Sequence, residues 1–164
     1  MKTSKTKEIV FMGIMTAVVF TGQIAMGFLP NIEIVTLLFI LYTLFLGKKV
    51  FLIIYAFVLL EGIYYGFGLW WFNYLYVWTI LAILVLIFRS QESVWFWSIF
   101  SGFFGLSYGA LCSIIYLFIG GVNTAFAYWV SGLGFDVLHC IGNVAVCLVL
   151  YKPLRYVLDK CMKM

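Results

Sequence analysis

The residues with the most chemistry to offer in this 164-residue chain lie between Asp136 and Asn143, in the order Asp136-Val137-Leu138-His139-Cys140-Ile141-Gly142-Asn143. An acid, the only histidine and an amide come together there inside an apolar run. On a helix, positions i, i+3 and i+7 share a face, so Asp136, His139 and Asn143 would point the same way. Ionisable groups at membrane depth are costly and turn toward a bundle interior or a wet cavity. Two roles fit such a face: a polar seam that holds helices together, or one wall of a ligand pocket. The pocket is favoured because other polar and aromatic groups converge at the same level. These are Glu33, Glu61, Trp70, Trp71, Asn73, Tyr74, Tyr76, Trp78, Tyr128 and Trp129. Part of the Trp and Tyr content is ordinary interface anchoring. That does not account for three acids and a histidine with no Lys or Arg beside them, because an unpaired buried acid is strongly disfavoured or protonated. Acids beside aromatic faces suit a flat ring that is cationic or rich in N–H donors. The expected substrate-binding set is therefore Glu33, Glu61, Trp70, Trp71, Asn73, Tyr74, Trp129, Asp136, His139 and Asn143. A carboxylate or phosphate ligand would meet uncompensated negative charge and is disfavoured.

Other chemistries find little support. One histidine and four cysteines without ligand spacing (Cys112, Cys140, Cys147 and Cys161) do not make a metal site, and no cofactor is expected. There is no Gly-x-x-x-x-Gly-Lys-Ser/Thr phosphate loop, so the chain is not expected to power pumping by itself. No serine sits in a nucleophile elbow. A membrane hydrolase built on Asp136 and His139 is the remaining catalytic alternative. Nucleic acid is not an expected partner, since no basic patch is interleaved with exposed aromatics. No regular charge series or carbonyl filter motif points to a voltage sensor or an ion channel.

The elements that must position these residues are membrane helices. The chain is 66% hydrophobic and 10% charged, with a mean hydropathy of +1.15, which places it among integral membrane proteins. Punctuation by Gly, Pro and charge divides it into six spans: about Glu8 to Phe28, a shorter one to Leu46, Val50 to Gly66, Tyr74 to Phe88, Val94 to Ile119, and Phe135 to Tyr151. The stretch from Gly66 to Asn73 reads as a loop or helix break. Val122 to Gly134 reads as a short glycine-bounded interfacial helix, and Lys152-Pro153 as the start of a tail. The whole of residues 1–164 is then one transmembrane substrate-binding domain: an all-α, six-helix bundle. Under this count every Lys and Arg falls on one side, and the excess of basic residues marks the cytoplasmic side. Both termini are expected there, in a multi-pass protein without a cleavable signal peptide.

Small residues mark close helix contacts. Gly102, Gly105 and Gly109, with Ser98, Ser101 and Ser113, are expected to pack inside the bundle. Gly13, Ala17 and Thr21 on the first span fit either internal packing or a docking face for another membrane subunit.

Taken together, the pattern resembles the S components of energy-coupling factor (ECF) transporters. The resemblance rests on the six short spans, the small-x-x-x-small first helix, the outer Leu29-Pro30-Asn31-Ile32-Glu33 loop, the segment Gly66-Phe67-Gly68-Leu69-Trp70-Trp71, and the Gly-x-x-Phe-Asp-x-x-His-x-x-Gly-Asn stretch from Gly132 to Asn143. It implies a small bacterial plasma-membrane protein that binds a vitamin or related micronutrient and is not itself an enzyme. It also implies a coupling transmembrane subunit, two ATP-binding-cassette ATPases, and toppling in the membrane to carry the ligand inward. The family docks through an Ala-x-x-x-Ala face on its first helix. Gly13-x-x-x-Ala17 takes that place here, with a departure at the first position. Substrate identity does not carry over. The expected ligand is a flat amine-bearing heterocycle: aminopyrimidine- or thiamine-like, pyridoxamine-like, or a deazapurine. A cobalamin and a stand-alone small transporter are the alternatives.

Overall fold

The computed structural model describes residues 5–163, and their side chains up to Cys161. Among the described residues every regular element is helical: α1 (Lys5–Met26), α2 (Val35–Leu46), a 3-10 turn at Gly47–Lys49, α3 (Val50–Tyr65), α4 (Leu69–Ile87) and α5 (Val94–Lys163). Four stretches are long and apolar enough to cross a membrane, namely Lys5–Met26, Val35–Tyr65, Leu69–Ile87 and Val94–Cys161. The second and fourth are interrupted, by the 3-10 turn and by Gly121 respectively.

The interruption in α5 governs the architecture. Seventy residues of unbroken helix would be about 105 Å long, several times the hydrocarbon core of a bilayer. At Gly121 the backbone takes φ 74° and ψ −172°, outside what a side-chain-bearing residue adopts without strain, and the chain folds back. The arms 94–120 and 122–163 then run antiparallel in direct contact. The Ser101 hydroxyl donates to the Asn143 carbonyl at 3.3 Å, and the Gly109 N–H donates to Asp136 Oδ1 at 2.9 Å. The glycines make this approach possible: a methyl group at Gly105 would lie 2.9 Å from the His139 carbonyl carbon, and one at Gly102 would meet Val144 and Cys140. The expected internal packing of this glycine row is what the structure has.

The second arm corrects two boundaries. Residues 122–134 do not form a separate glycine-bounded helix; they continue unbroken into the rest of the arm. Gly132 and Gly134 sit in open surroundings where no turn is imposed, so they only weaken the helix locally. Lys152-Pro153 does not end it either, for the helix runs on to Lys163. Proline removes one backbone bond, but Tyr151 is buried and Leu154 and Leu158 pack on the core beyond it. The break before α4 is also shorter than expected. It is confined to Gly66, at φ 88°, and the two residues after it, and α4 starts at Leu69. The Trp71 indole N–H donates to the Val58 carbonyl at 2.8 Å and ties that first turn to α3.

Helix α2 is the centre of the bundle. Val35 through Thr43 are all buried, as expected for a helix that is apolar all round. It packs against α4 and α5, while α1 lies on α3 and α3 on α4. Phe39 of α2 meets Phe57 of α3 and Trp78 of α4 edge-on, both at 5.4 Å between ring centroids. Such aromatic pairs contribute about 0.5–1.5 kcal/mol each beyond the area they bury. At the opposite end of α1 and α3 from the Gly27–Ile34 loop, Lys49 pairs with Glu8, joining the start of α1 to the turn between α2 and α3.

Candidate functional site

A cavity of about 230 Å³ opens where the α1–α2 loop lies over α4 and the middle of the two α5 arms. Its lining comes from five places. The end of α1 gives Gln23 and Met26, and the loop gives Gly27 and Leu29 to Glu33. Helix α4 gives Tyr74 and Trp78, the first α5 arm gives Tyr108, and the second gives His139.

The loop is held by side chains rather than by regular structure. Glu33 makes both of its anchors. Its Oε2 accepts the Thr36 N–H at 2.8 Å, satisfying a donor in the first turn of α2 that has no partner within the helix. Its Oε1 lies 3.2 Å from His139 Nε2, with the two side chains 13% and 7% exposed. Burial alone would raise the Glu33 carboxyl. The bond to His139, the charge of that ring and the bonds to Thr36 outweigh it and hold the group below the ordinary carboxylate value. Asn31 supplies the turn, at φ 57°, a conformation that Asn tolerates better than most residues. Beside it the loop lies on the second α5 arm at Gly142, where a methyl group would sit 3.1 Å from the Asn31 carbonyl oxygen. The spacing His139-x-x-Gly142 therefore has a physical meaning: the histidine holds the loop and the glycine leaves room for it.

The wall opposite the loop is aromatic. Tyr74 and Trp78 are one turn apart on α4, with ring centroids 5.6 Å apart. Trp78 also faces Tyr108 at 5.9 Å, and Tyr108 meets the His139 ring edge-on at 5.0 Å. The indole N–H of Trp78 is buried without a hydrogen-bond partner. Among the described residues no Lys or Arg lines the cavity.

Of the ten residues expected to bind substrate, the cavity lining brings together Glu33, Tyr74 and His139. The other seven lie outside it. Asp136 accepts from Gly109, its second oxygen is buried without a partner, and Asn143 donates to the Ser101 carbonyl at 3.3 Å and to the Thr36 hydroxyl at 3.4 Å. Those two residues form the polar seam between the α5 arms and α2, while His139, on the same face, lines the cavity. Asp136 and His139 bond to different partners, Gly109 and Glu33 respectively. Asn73 accepts from the Tyr76 hydroxyl at 2.8 Å. Trp71 is committed to Val58, Trp70 packs edge-on between Tyr65 and Tyr74, and Trp129 packs edge-on with Phe126. Glu61 is buried on α3, with one carboxylate oxygen unpartnered. The expectation missed Gln23 and Tyr108 and left Trp78 among the interface anchors. The spacing Tyr74–Trp78, i to i+4 on one helix, is a signal that places Trp78 on the same face as Tyr74.

On α1, Gly13, Ala17 and Thr21 all face outward. A methyl group at Gly13 would meet nothing within 4 Å. The Thr21 hydroxyl is turned back on the Ala17 carbonyl at 2.6 Å, which leaves this face apolar and exposed among the described residues.

Comparison with models of protein families, with curated proteins and with solved structures gave no match.

Proposed function

We propose that this chain is a substrate-capture subunit of the ECF S-component type, which binds a small micronutrient from outside a bacterial cell and delivers it to an ATP-driven partner. The observation that carries the reading is the cavity itself. It is an open-mouthed chamber with an aromatic wall, an acid–histidine pair and a loop laid across it, set in an apolar helical bundle. A preformed concave site with few convergent polar groups is the form that ligand sites take. In this reading the two interrupted apolar stretches each cross twice. The chain then makes six crossings, with every basic residue and both termini on the cytoplasmic side. The apolar face at Gly13, Ala17 and Thr21 docks on a coupling transmembrane subunit, and two ATP-binding-cassette ATPases supply the energy. The chain itself is not an enzyme.

The ligand is a flat amine-bearing heterocycle, of the aminopyrimidine or thiamine, pyridoxamine or deazapurine kind. The cavity's chemistry supports that: one acid paired with a histidine, three further aromatic rings and, among the described residues, no Lys or Arg. Its volume speaks against a cobalamin. The divergent bonding of Asp136 and His139 speaks against a hydrolase. The reading is tested by native mass spectrometry of the purified chain, where a co-purified small molecule is expected. Uptake reconstituted in vesicles should also depend on ATP and the partner subunits. Uptake by the chain alone would establish a stand-alone transporter instead.

A further inference from the structure

We infer that the end of α1 that carries Lys5 and Lys7 holds an anionic phospholipid, its phosphate on Lys7 and one acyl chain in a hollow beside Val10, Phe11 and Ile14. The inference needs α1 to cross the bilayer and does not depend on the capture reading.

The hollow gives the shape. About 290 Å³ of open space lies against the first turns of α1, away from the cavity described above. Among the described residues it is bordered by Thr6, Lys7, Val10, Phe11 and Ile14. Thr6, Val10 and Ile14 stand at i, i+4 and i+8, with Lys7 and Phe11 beside them, so the five share one face of the helix. Lys7 and Ile14 are seven residues apart, about 10 Å along the axis. Val10 and Ile14 are 56% and 57% exposed. An apolar strip thus runs along a membrane-crossing helix, parallel to the lipid chains, with a cation at its end.

The charge gives the class of occupant. Lys7 is the one ionisable residue among the five. Glu8, next to it in sequence, is taken by Lys49, and Lys7 makes no ion pair among the described residues. A lysine at the end of a span lays its methylenes along apolar surface and carries its ammonium to the headgroup level. There it donates to phosphate oxygens, and the Thr6 hydroxyl is a second donor beside it. A protein helix seated in the hollow would have to bury the Lys7 ammonium or bring an acid to it. An anionic phospholipid brings the phosphate and the apolar chain in one molecule, in the order that Lys7 and Ile14 present them.

The test is native mass spectrometry of the full chain released from mixed micelles that contain phosphatidylglycerol and phosphatidylcholine with the same acyl chains. Wild type is expected to retain phosphatidylglycerol in preference by about fivefold, the attraction of one lysine at a headgroup surface. Lys7→Gln should remove most of that preference. Lys48→Gln should leave it, because Lys48 is exposed in the turn at the same end of the bundle but lies outside the hollow. Val10→Trp, which fills the hollow, should lower retention several-fold. Glycerol phosphate, the headgroup without chains, should not compete. The lipid comparison leaves the protein unaltered, so it remains decisive if a variant folds poorly. Equal retention of the two lipids overturns the inference. Equal losses in Lys7→Gln and Lys48→Gln also overturn it, since they would show a diffuse attraction without a site. So does displacement by glycerol phosphate, which would show a phosphate site without use of the hollow. A lipid-free dimer that Val10→Trp dissociates would assign the hollow to a second copy of the chain instead.

Discussion

Glu33 carries the electrostatics of the site, and its behaviour with pH follows from its two anchors. The bonds to His139 and Thr36 hold its folded-state pKa below the ordinary value of 4.5. A group depressed in this way stabilises the fold above its unfolded value, and the contribution is lost as pH falls through the folded one. Glu33→Gln should therefore lower stability at pH 7 by about 1.5–3 kcal/mol, the range for a hydrogen bond to a charged group. The gap between wild type and variant should close on acidification below pH 4.5, as thermal unfolding in detergent would show. A gap that persists undiminished well into acid would mean that Glu33 is not the charged partner described here. At this scale the sequence was half legible. Helical spacing put His139 on a polar face with Asp136 and Asn143, and those three are buried together. Asp136 shares the buried face of His139 and Asn143, as the spacing required, but it bonds to Gly109 and does not line the cavity, and Glu61 is buried on α3 outside that lining. Tyr108, one of several polar and aromatic residues in its span, gave no sign that it faced His139, and the pairing of Glu33 with a residue 106 positions away leaves no local trace.

The glycines decide how the helices meet, and they divide into those that receive a neighbour and those that do not. Gly105 lies against the backbone of His139, and a side chain there would force the α5 arms apart. Gly105→Ala should cost about 1–3 kcal/mol, the usual range for overpacking, and should displace His139 from Glu33. Gly132, in the same hairpin, has no neighbour within reach of a methyl group. Gly132→Ala should be neutral or stabilising by up to about 1 kcal/mol through helix propensity. Thermal midpoints of the two variants check the contrast; equal losses would mean that the arms do not pack as described. The helix stops at Gly47, Gly66 and Gly121 could be read from the sequence because φ > 0 favours glycine there. The same residue type at 132 and 134 misled the reading. A glycine is needed for a turn, but it does not make one when the flanking residues continue the helix. Pro153 misled it in the same way, since packing of Tyr151, Leu154 and Leu158 outweighs one lost backbone bond.

For the whole molecule, two predictions follow from the proposed six crossings and the proposed partner. Under six crossings, Asn31 and Asn123 lie on the side opposite Lys48 and Arg89. Single cysteines at the first two positions should react with an impermeant thiol reagent applied to intact cells, and those at the last two should not. Reaction at Lys48 would rule the arrangement out. The partner prediction turns on α1. Gly13, Ala17 and Thr21 form a strip bordered by the exposed Ile14 and Val18. Among the described residues nothing covers it, and lipid alone would accept it. Small residues at four-residue spacing let a second helix approach backbone to backbone, an approach that a leucine side chain would block. Gly13→Leu and Ala17→Leu put that side chain where the isolated chain has open surroundings, so the fold and the cavity, at the far end of α1, should be unaffected. Ligand binding by the purified variants should match wild type within about twofold, well under 1 kcal/mol. Uptake with the coupling subunit and ATPases should fall at least tenfold. If binding and uptake fall together, the face is needed for the chain's own fold. If neither changes, the strip faces lipid, and docking must be sought elsewhere on the bundle.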